Sequence, residues 1–376
     1  MRGWRERSLL MKPMNYWKKA AVALMLAGFG SFGFSYQPAS AMQHPVTIED
    51  QGSFMAGGKT VTAPGTYDGT KPTDFAGETL HGDHAYVFYQ KPVKAKKTSM
   101  VFLHGYGQSG KTWETTPDGR DGFQNIFLEK GYKTYVVDEP GRGKAGRRTT
   151  PGTVSAQPDD QLWFNTFRIG EWPDTYDNVA VPRTKEAEEQ FFHAMTPDTA
   201  PFDQQVVADA MTAVMDKAGD GVLVTHSAGG GPGWLTGIQS EHVKGIISLE
   251  PGAFPFPKGQ APAVEKTTSP FPATPMEVSM EAFLKLTKIP TVIYFGDNIP
   301  KGDTPIANWG QDNWRVRWNF AKKWEAVMRS YGADVSVVSL PDIGIKGSTH
   351  FMMADLNNRA VADAMVKWMH ECKLDR

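Results

Sequence analysis

Apolar residues in this chain come in short dense runs separated by stretches with a helical rhythm. The runs at 85–90, 99–103, 132–138, 221–224, 243–249, 291–295 and 334–340 are rich in Val, Ile, Tyr and Phe, as buried strands are. Between several of them, 204–217, 232–240, 313–331 and 353–372 space their apolar residues for helices. Buried strands alternating with helices predict an α/β fold, a mainly parallel sheet covered on both faces. Residues 42–80, rich in Gly, Thr and Pro, are expected to wrap the edge of this domain.

Two connections are too long for simple crossovers. Residues 144–202 carry Trp163, Phe164, Phe167, Trp172 and Tyr176, and residues 251–284 are rich in proline. Long insertions in an ordered domain usually serve as lids or substrate walls. The aromatic density makes Trp163, Phe164, Phe167 and Trp172 candidate substrate contacts.

Composition narrows the function classes. The chain has 376 residues, 40% of them hydrophobic, and a formal charge of −1. That suffices for a sizeable core and points neither to nucleic acid nor to an anionic membrane surface. Cys372 is the one cysteine, so no internal disulfide can form. Oligomeric state is not encoded legibly, and a homodimer stays open.

The N-terminus reads as a targeting segment. Arg2, Arg5, Arg7, Lys12, Lys18 and Lys19 precede an apolar run at 20–34, and Ala39-Ser40-Ala41 supplies small residues for a peptidase. These features predict a secretory signal at 1–41, cleaved after Ala41. A single domain would then span 42–376, periplasmic or secreted, with no stable membrane insertion. An uncleaved anchor is the competing reading, and Met11 or Met14 are alternative starts.

The chemistry concentrates at Thr225-His226-Ser227-Ala228-Gly229. An apolar strand ends here and a glycine-rich helix start follows. A serine on such a strand-to-helix turn holds its hydroxyl out above the sheet, beside backbone N–H groups. Thr225 stands where the usual pattern has its first glycine. His350, between the last strand and the last helix, is placed to act as the base; His226 is expected to pack locally. The acid that orients the base can be Glu250 or Asp297, each at a strand end, and spacing does not separate them. Backbone donors for an oxyanion are expected from Ala228 and from Tyr106, in the loop after the 99–103 strand. A small-molecule ester is the substrate this set suits, with no cofactor. The pattern His-Glu-x-x-His is absent, which disfavours a metal hydrolase.

Gly105-Tyr-Gly-Gln-Ser-Gly-Lys111-Thr112 also satisfies the phosphate-loop pattern after an apolar strand. Such a loop must open a sustained helix, yet Pro117-Asp118-Gly119 follows within a few residues. This nucleotide-hydrolase reading also leaves Ser227 and His350 without a role. A third class is a non-catalytic binding protein on a hydrolase scaffold.

With these motifs the chain resembles an α/β-hydrolase over most of 85–372. More narrowly, Trp113-Glu114-Thr115-Thr116-Pro117-Asp118-Gly119-Arg120, Gly141-Arg142-Gly143, His226-Ser227 with Glu250, and His350-Phe351-Met352-Met353 with Asp355, Asn357 and Asn358 are similar to the bacterial esterase 713-like branch. The resemblance implies an α/β-hydrolase fold, exported carboxylic-ester hydrolysis without a cofactor, and a glutamate as the triad acid. The matching position is Glu250.

Overall fold

The structure, a computed structural model, describes residues 45–375; the expected signal segment lies outside them. Among the described residues the main sheet has eight strands. They are β1 (Ile48–Thr62), β2 (Thr79–Pro92), β3 (Ser99–Leu103), β4 (Lys133–Asp138), β5 (Gly221–His226), β6 (Val243–Leu249), β7 (Thr291–Phe295) and β8 (Val335–Ser339). Their spatial order is β1-β2-β4-β3-β5-β6-β7-β8. β1 and β2 pair antiparallel, as do β2 and β4. From β4 to β8 every pairing is parallel.

The side-chain alternation of each inner strand divides the core. Val101 and Leu103 of β3 face one cluster with Leu223, Ile246 and Ile293; Met100 and Phe102 face the other with Val222, Val224, Ile247 and Val292. The first face is covered by α4 (Gln204–Ala218), α5 (Gly230–Gln239), α6 (Met280–Leu286) and α7 (Trp309–Ser330). The second is covered by α1 (Phe123–Glu129) and α8 (Asn358–Glu371). This is the α/β fold expected from the alternation.

One expected boundary shifts, and two segments whose inner structure the pattern left undefined contain regular elements. Residues 48–62 form the edge strand β1, running antiparallel along β2. A strand with one solvated face leaves only a weak apolar signal. The helix expected at 353–372 starts at Asn358, because residues 351–357 wind into turns around the buried Asp355, which accepts the Thr349 N–H at 2.6 Å. The 144–202 connection holds two helices, α2 (Asp160–Thr166) and α3 (Lys185–His193), too short for a clear period.

Candidate active site

β5 delivers Ser227 at its carboxyl end. Ser227 has φ 53°, the left-handed region that a non-glycine residue enters only under constraint. Thr225 sits in the space opposite Gly233, where an added Cβ would collide with the Thr225 methyl. Its hydroxyl hydrogen-bonds Ser248 at 2.8 Å. The bulk that departs from the usual glycine is therefore absorbed by a glycine on α5, and the turn survives.

The candidate base arrives from the far end of the chain. His350 N–H donates to the Phe167 carbonyl at 3.1 Å, and the Asp355 side chain braces Thr349 beside it through the bond already described. The imidazole packs against Trp314, with ring centroids 4.2 Å apart, and against Phe167 at 5.4 Å. Its Nδ1 lies 2.5 Å from Glu250 Oε2. Against a carboxylate, Nδ1 carries the proton, and Nε2 is left as an acceptor. Burial pulls the imidazole below its usual pKa, while the Glu250 bond pushes back.

Glu250 is fully buried and also sits at positive φ, 46°. Arg168 clamps it bidentately, Nη1 to Oε2 at 2.9 Å and Nη2 to Oε1 at 2.5 Å. Gly296 N–H adds a third bond at 2.7 Å. Burial alone would raise this carboxyl; the Arg168 charge and the His350 bond outweigh it and hold the pKa at about 2. Asp297 does different work. Its carboxylate accepts the N–H groups of Asn298 at 2.8 Å and Gly347 at 2.9 Å, which shapes the loop leading to His350. Of the two acids that spacing left open, Glu250 touches the imidazole.

The loop after β3 runs beside Ser227. An added Cβ on Gly105 would lie 2.7 Å from Ser227 Cβ, so only glycine permits the approach. His104 anchors the loop, with Nε2 accepting the Glu139 N–H at 3.2 Å and Nδ1 donating to the Gly105 carbonyl at 3.0 Å. Burial drives its pKa to about 4, so it stays neutral.

Ser227, Ala228, His350, Tyr106, Trp163 and Phe167 line one cleft of about 190 Å³. Ser227 and His350 make no direct hydrogen bond there; such contacts often tighten only around substrate. Phe164 and Trp172 do not reach this cleft. They pack edge to face on each other at 5.2 Å, and Phe164 lines a neighbouring cavity instead. His226 packs locally, its Nε2 donating to the His350 carbonyl at 2.9 Å. Burial holds its pKa far below the usual imidazole value.

Sequence reasoning missed Arg168, because its partner Glu250 lies 82 positions away. It also missed Asn313, Trp314 and Arg317, which α7 contributes to the cleft. Their one signal was the polar side chains interrupting an apolar helical stripe.

The loop that matches a phosphate-binding pattern is differently employed. Residues Gly110–Trp113 make one short 3-10 turn, and the Gly110 N–H donates to the Asp138 carboxylate at 2.6 Å. An anion already occupies the amide a phosphate would need. Among the described residues no group of three or more His, Cys, Asp or Glu side chains could hold a metal ion.

A family model described as "Alpha/beta hydrolase family" matches residues 100–364. The chain is 28% identical to the protein solved as "The Atomic Resolution Structure of a Novel Bacterial Esterase", with a TM-score of 0.70, covering 87% of this chain and 97% of that one. It is also 26% identical over 300 residues to a "Probable secreted lipase phiG" from Fungal sp. (strain ATCC 74256), covering 72% of this chain and 81% of that protein.

Proposed function

Because the chain belongs to the alpha/beta hydrolase family, we propose that it is an exported serine hydrolase that cleaves carboxylic esters through an acyl-enzyme. The observation that carries this reading is the His350–Glu250 bond of 2.5 Å, with His350 lining the same cleft as Ser227. The relatives named as an esterase and a secreted lipase support the substrate class and export.

His350 Nε2 takes the Ser227 hydroxyl proton as Oγ attacks the ester carbonyl. The backbone N–H groups of Tyr106 and Ala228 hold the oxyanion, an arrangement whose loss typically costs about 100- to 1,000-fold per donor. The imidazolium then protonates the departing alcohol. Water, deprotonated by the same nitrogen, attacks the acyl-serine, and the proton returns to Ser227 as the acid leaves. Glu250 keeps the proton on Nδ1 and balances the imidazolium; Arg168 keeps Glu250 ionised and in place. Trp163 and Phe167 form an aromatic wall. The cleft's modest volume suits a compact ester rather than a bulky lipid.

A fluorophosphonate probe tests the reading. It should label Ser227 and abolish turnover of a short acyl ester, and Ser227→Ala should prevent both. Wild-type turnover in Ser227→Ala would overturn the assignment, and an unlabelled, inactive protein would favour a binding role.

A further inference from the structure

The four buried arginines among the described residues are each paired with carboxylates, and Arg317 in the cleft is not. Arg168 takes Glu250, Arg142 takes Glu139, Arg148 takes Asp83, and Arg315 takes Asp312 and Glu265. Arg317, two residues along α7 from Arg315, lines the cleft with Ser227 and His350. Among the described residues it forms no ion pair within 4.0 Å. Its Nη1 donates only to neutral oxygens: Asn313 Oδ1 at 2.5 Å, the Asn313 carbonyl at 3.1 Å and the Phe271 carbonyl at 3.3 Å. Its Nε and Nη2 find no acceptor there, and neither is sealed from solvent.

The surroundings sharpen the contrast. The cleft wall is largely aromatic, with Tyr106, Trp163, Phe167, Phe271, Trp314 and Phe351. Burial lowers the guanidinium pKa to about 10, still charged at neutral pH. An unpaired cation against an apolar wall is costly unless a counter-charge joins it. A guanidinium with one edge tied to carbonyls and two donors unspent suits a carboxylate. The ring of Trp314 packs tilted against His350 with centroids 4.2 Å apart, and the Arg317 guanidinium lies 5.5 Å from that ring. Arg317 and His350 thus both pack on Trp314, and an anion on Arg317 would share the cleft with Ser227 and His350.

Resting on the serine-hydrolase reading, the geometry points to a substrate that is a small ester carrying a free carboxylate, with Arg317 as the residue that binds it. Hydrolysis then proceeds as above: water is consumed, the ester becomes an acid and an alcohol, and the distal carboxylate stays on Arg317 unchanged.

Matched esters test this. Monomethyl glutarate carries the carboxylate on the acyl side and 4-acetoxybutanoate carries it on the alcohol side. Each is compared with a neutral ester of the same shape, in which an isopropyl group replaces the carboxylate. For at least one pair the wild-type protein should favour the anion in kcat/KM by about ten- to a hundredfold, the range of one charge-assisted contact. Arg317→Met should erase that ratio and Arg317→Lys should keep part of it. Glutarate should also slow fluorophosphonate labelling of Ser227 in the wild type and not in Arg317→Met, a measurement that needs no turnover. A wild type indifferent to charge and unprotected by glutarate overturns the inference, as does an Arg317→Met that lowers both members of a pair alike. In either case the wild type would still be labelled and would still turn over the neutral esters, so the parent reading fails separately, through the loss of both in the wild type.

Discussion

Arg168 and Glu250 meet as a fully buried bidentate pair, two bonds of 2.9 and 2.5 Å between residues 82 positions apart. Glu250 Oε2 is shared: it receives one Arg168 nitrogen and the Nδ1 proton of His350. The arginine thus fixes the carboxylate that fixes the imidazole. Removing it should cost far more than a surface pair. Arg168→Met should destabilise the protein by about 3–5 kcal/mol, as breaking a buried pair from one side does. The pH dependence has a definite sign. Glu250 is held at about 2 against an ordinary 4.5, so its contribution is complete above 4.5 and lost as pH falls toward 2. Denaturant titrations across pH should show acid unfolding moving to higher pH in Arg168→Met; an unchanged profile would contradict this account.

The acid can be identified by rate. Glu250→Gln removes the group that holds the Nδ1 proton, and kcat should fall by about 10⁴-fold, as in serine proteases altered at the triad acid. Asp297→Asn keeps one acceptor for its loop amides and should lose far less. Steady-state kinetics on one short ester decides, and a larger loss at Asp297 would reverse the assignment.

His350 is harder to protonate than a free imidazole, chiefly because it is buried. A base that resists protonation stays competent to lower pH. The acid limb of kcat/KM should therefore fall below the ordinary histidine value of about 6.5. A limb above that value would show that the Glu250 bond outweighs burial.

Asp355 behaves oppositely. Burial raises its carboxyl to about 8, although Thr349 donates two hydrogen bonds to it. The folded protein therefore holds a proton that the unfolded chain releases near 3.8. Its contribution is full below 3.8 and lost as pH rises through 8. Asp355→Asn should flatten the decline in stability between pH 5 and 9, measured by urea unfolding at each pH. A slope equal to that of the wild type would mean the carboxylate stays ionised in the fold.

Gly105→Ala tests the loop beside the nucleophile. The new Cβ would start 2.7 Å from Ser227 Cβ, so the backbone must retreat and take the Tyr106 N–H with it. An expected loss of about 100- to 1,000-fold in kcat with KM little changed would be read by ester kinetics. Retained kcat would place the oxyanion donors elsewhere.

Much of this arrangement was legible in the chain. The strands at 99–103, 243–249 and 291–295 have the limits their apolar runs suggest, because strands buried on both faces are apolar throughout. β1 was not legible, since its outer face is solvated. Ser227 and His350 could be placed from the ends of apolar runs, and the structure lines one cleft with both. Glu250 over Asp297 could not be decided by spacing, because both end strands on the same edge of the sheet. The difference lies in Arg168, a three-dimensional neighbour with no sequence proximity. Phe164 and Trp172 shared the aromatic signal of Trp163 and Phe167, yet Phe164 lies on another side of a seven-residue helix and Trp172 lies beyond its end, in the turn between two short strands.

Phe167 and Arg168 join the inserted segment to the machinery it covers: the Phe167 carbonyl holds the His350 backbone, and the Arg168 guanidinium holds Glu250. A roof bolted to the engine cannot be swung aside while the engine runs. Any large hinge at 160–168 would switch the chemistry off as it opened the door.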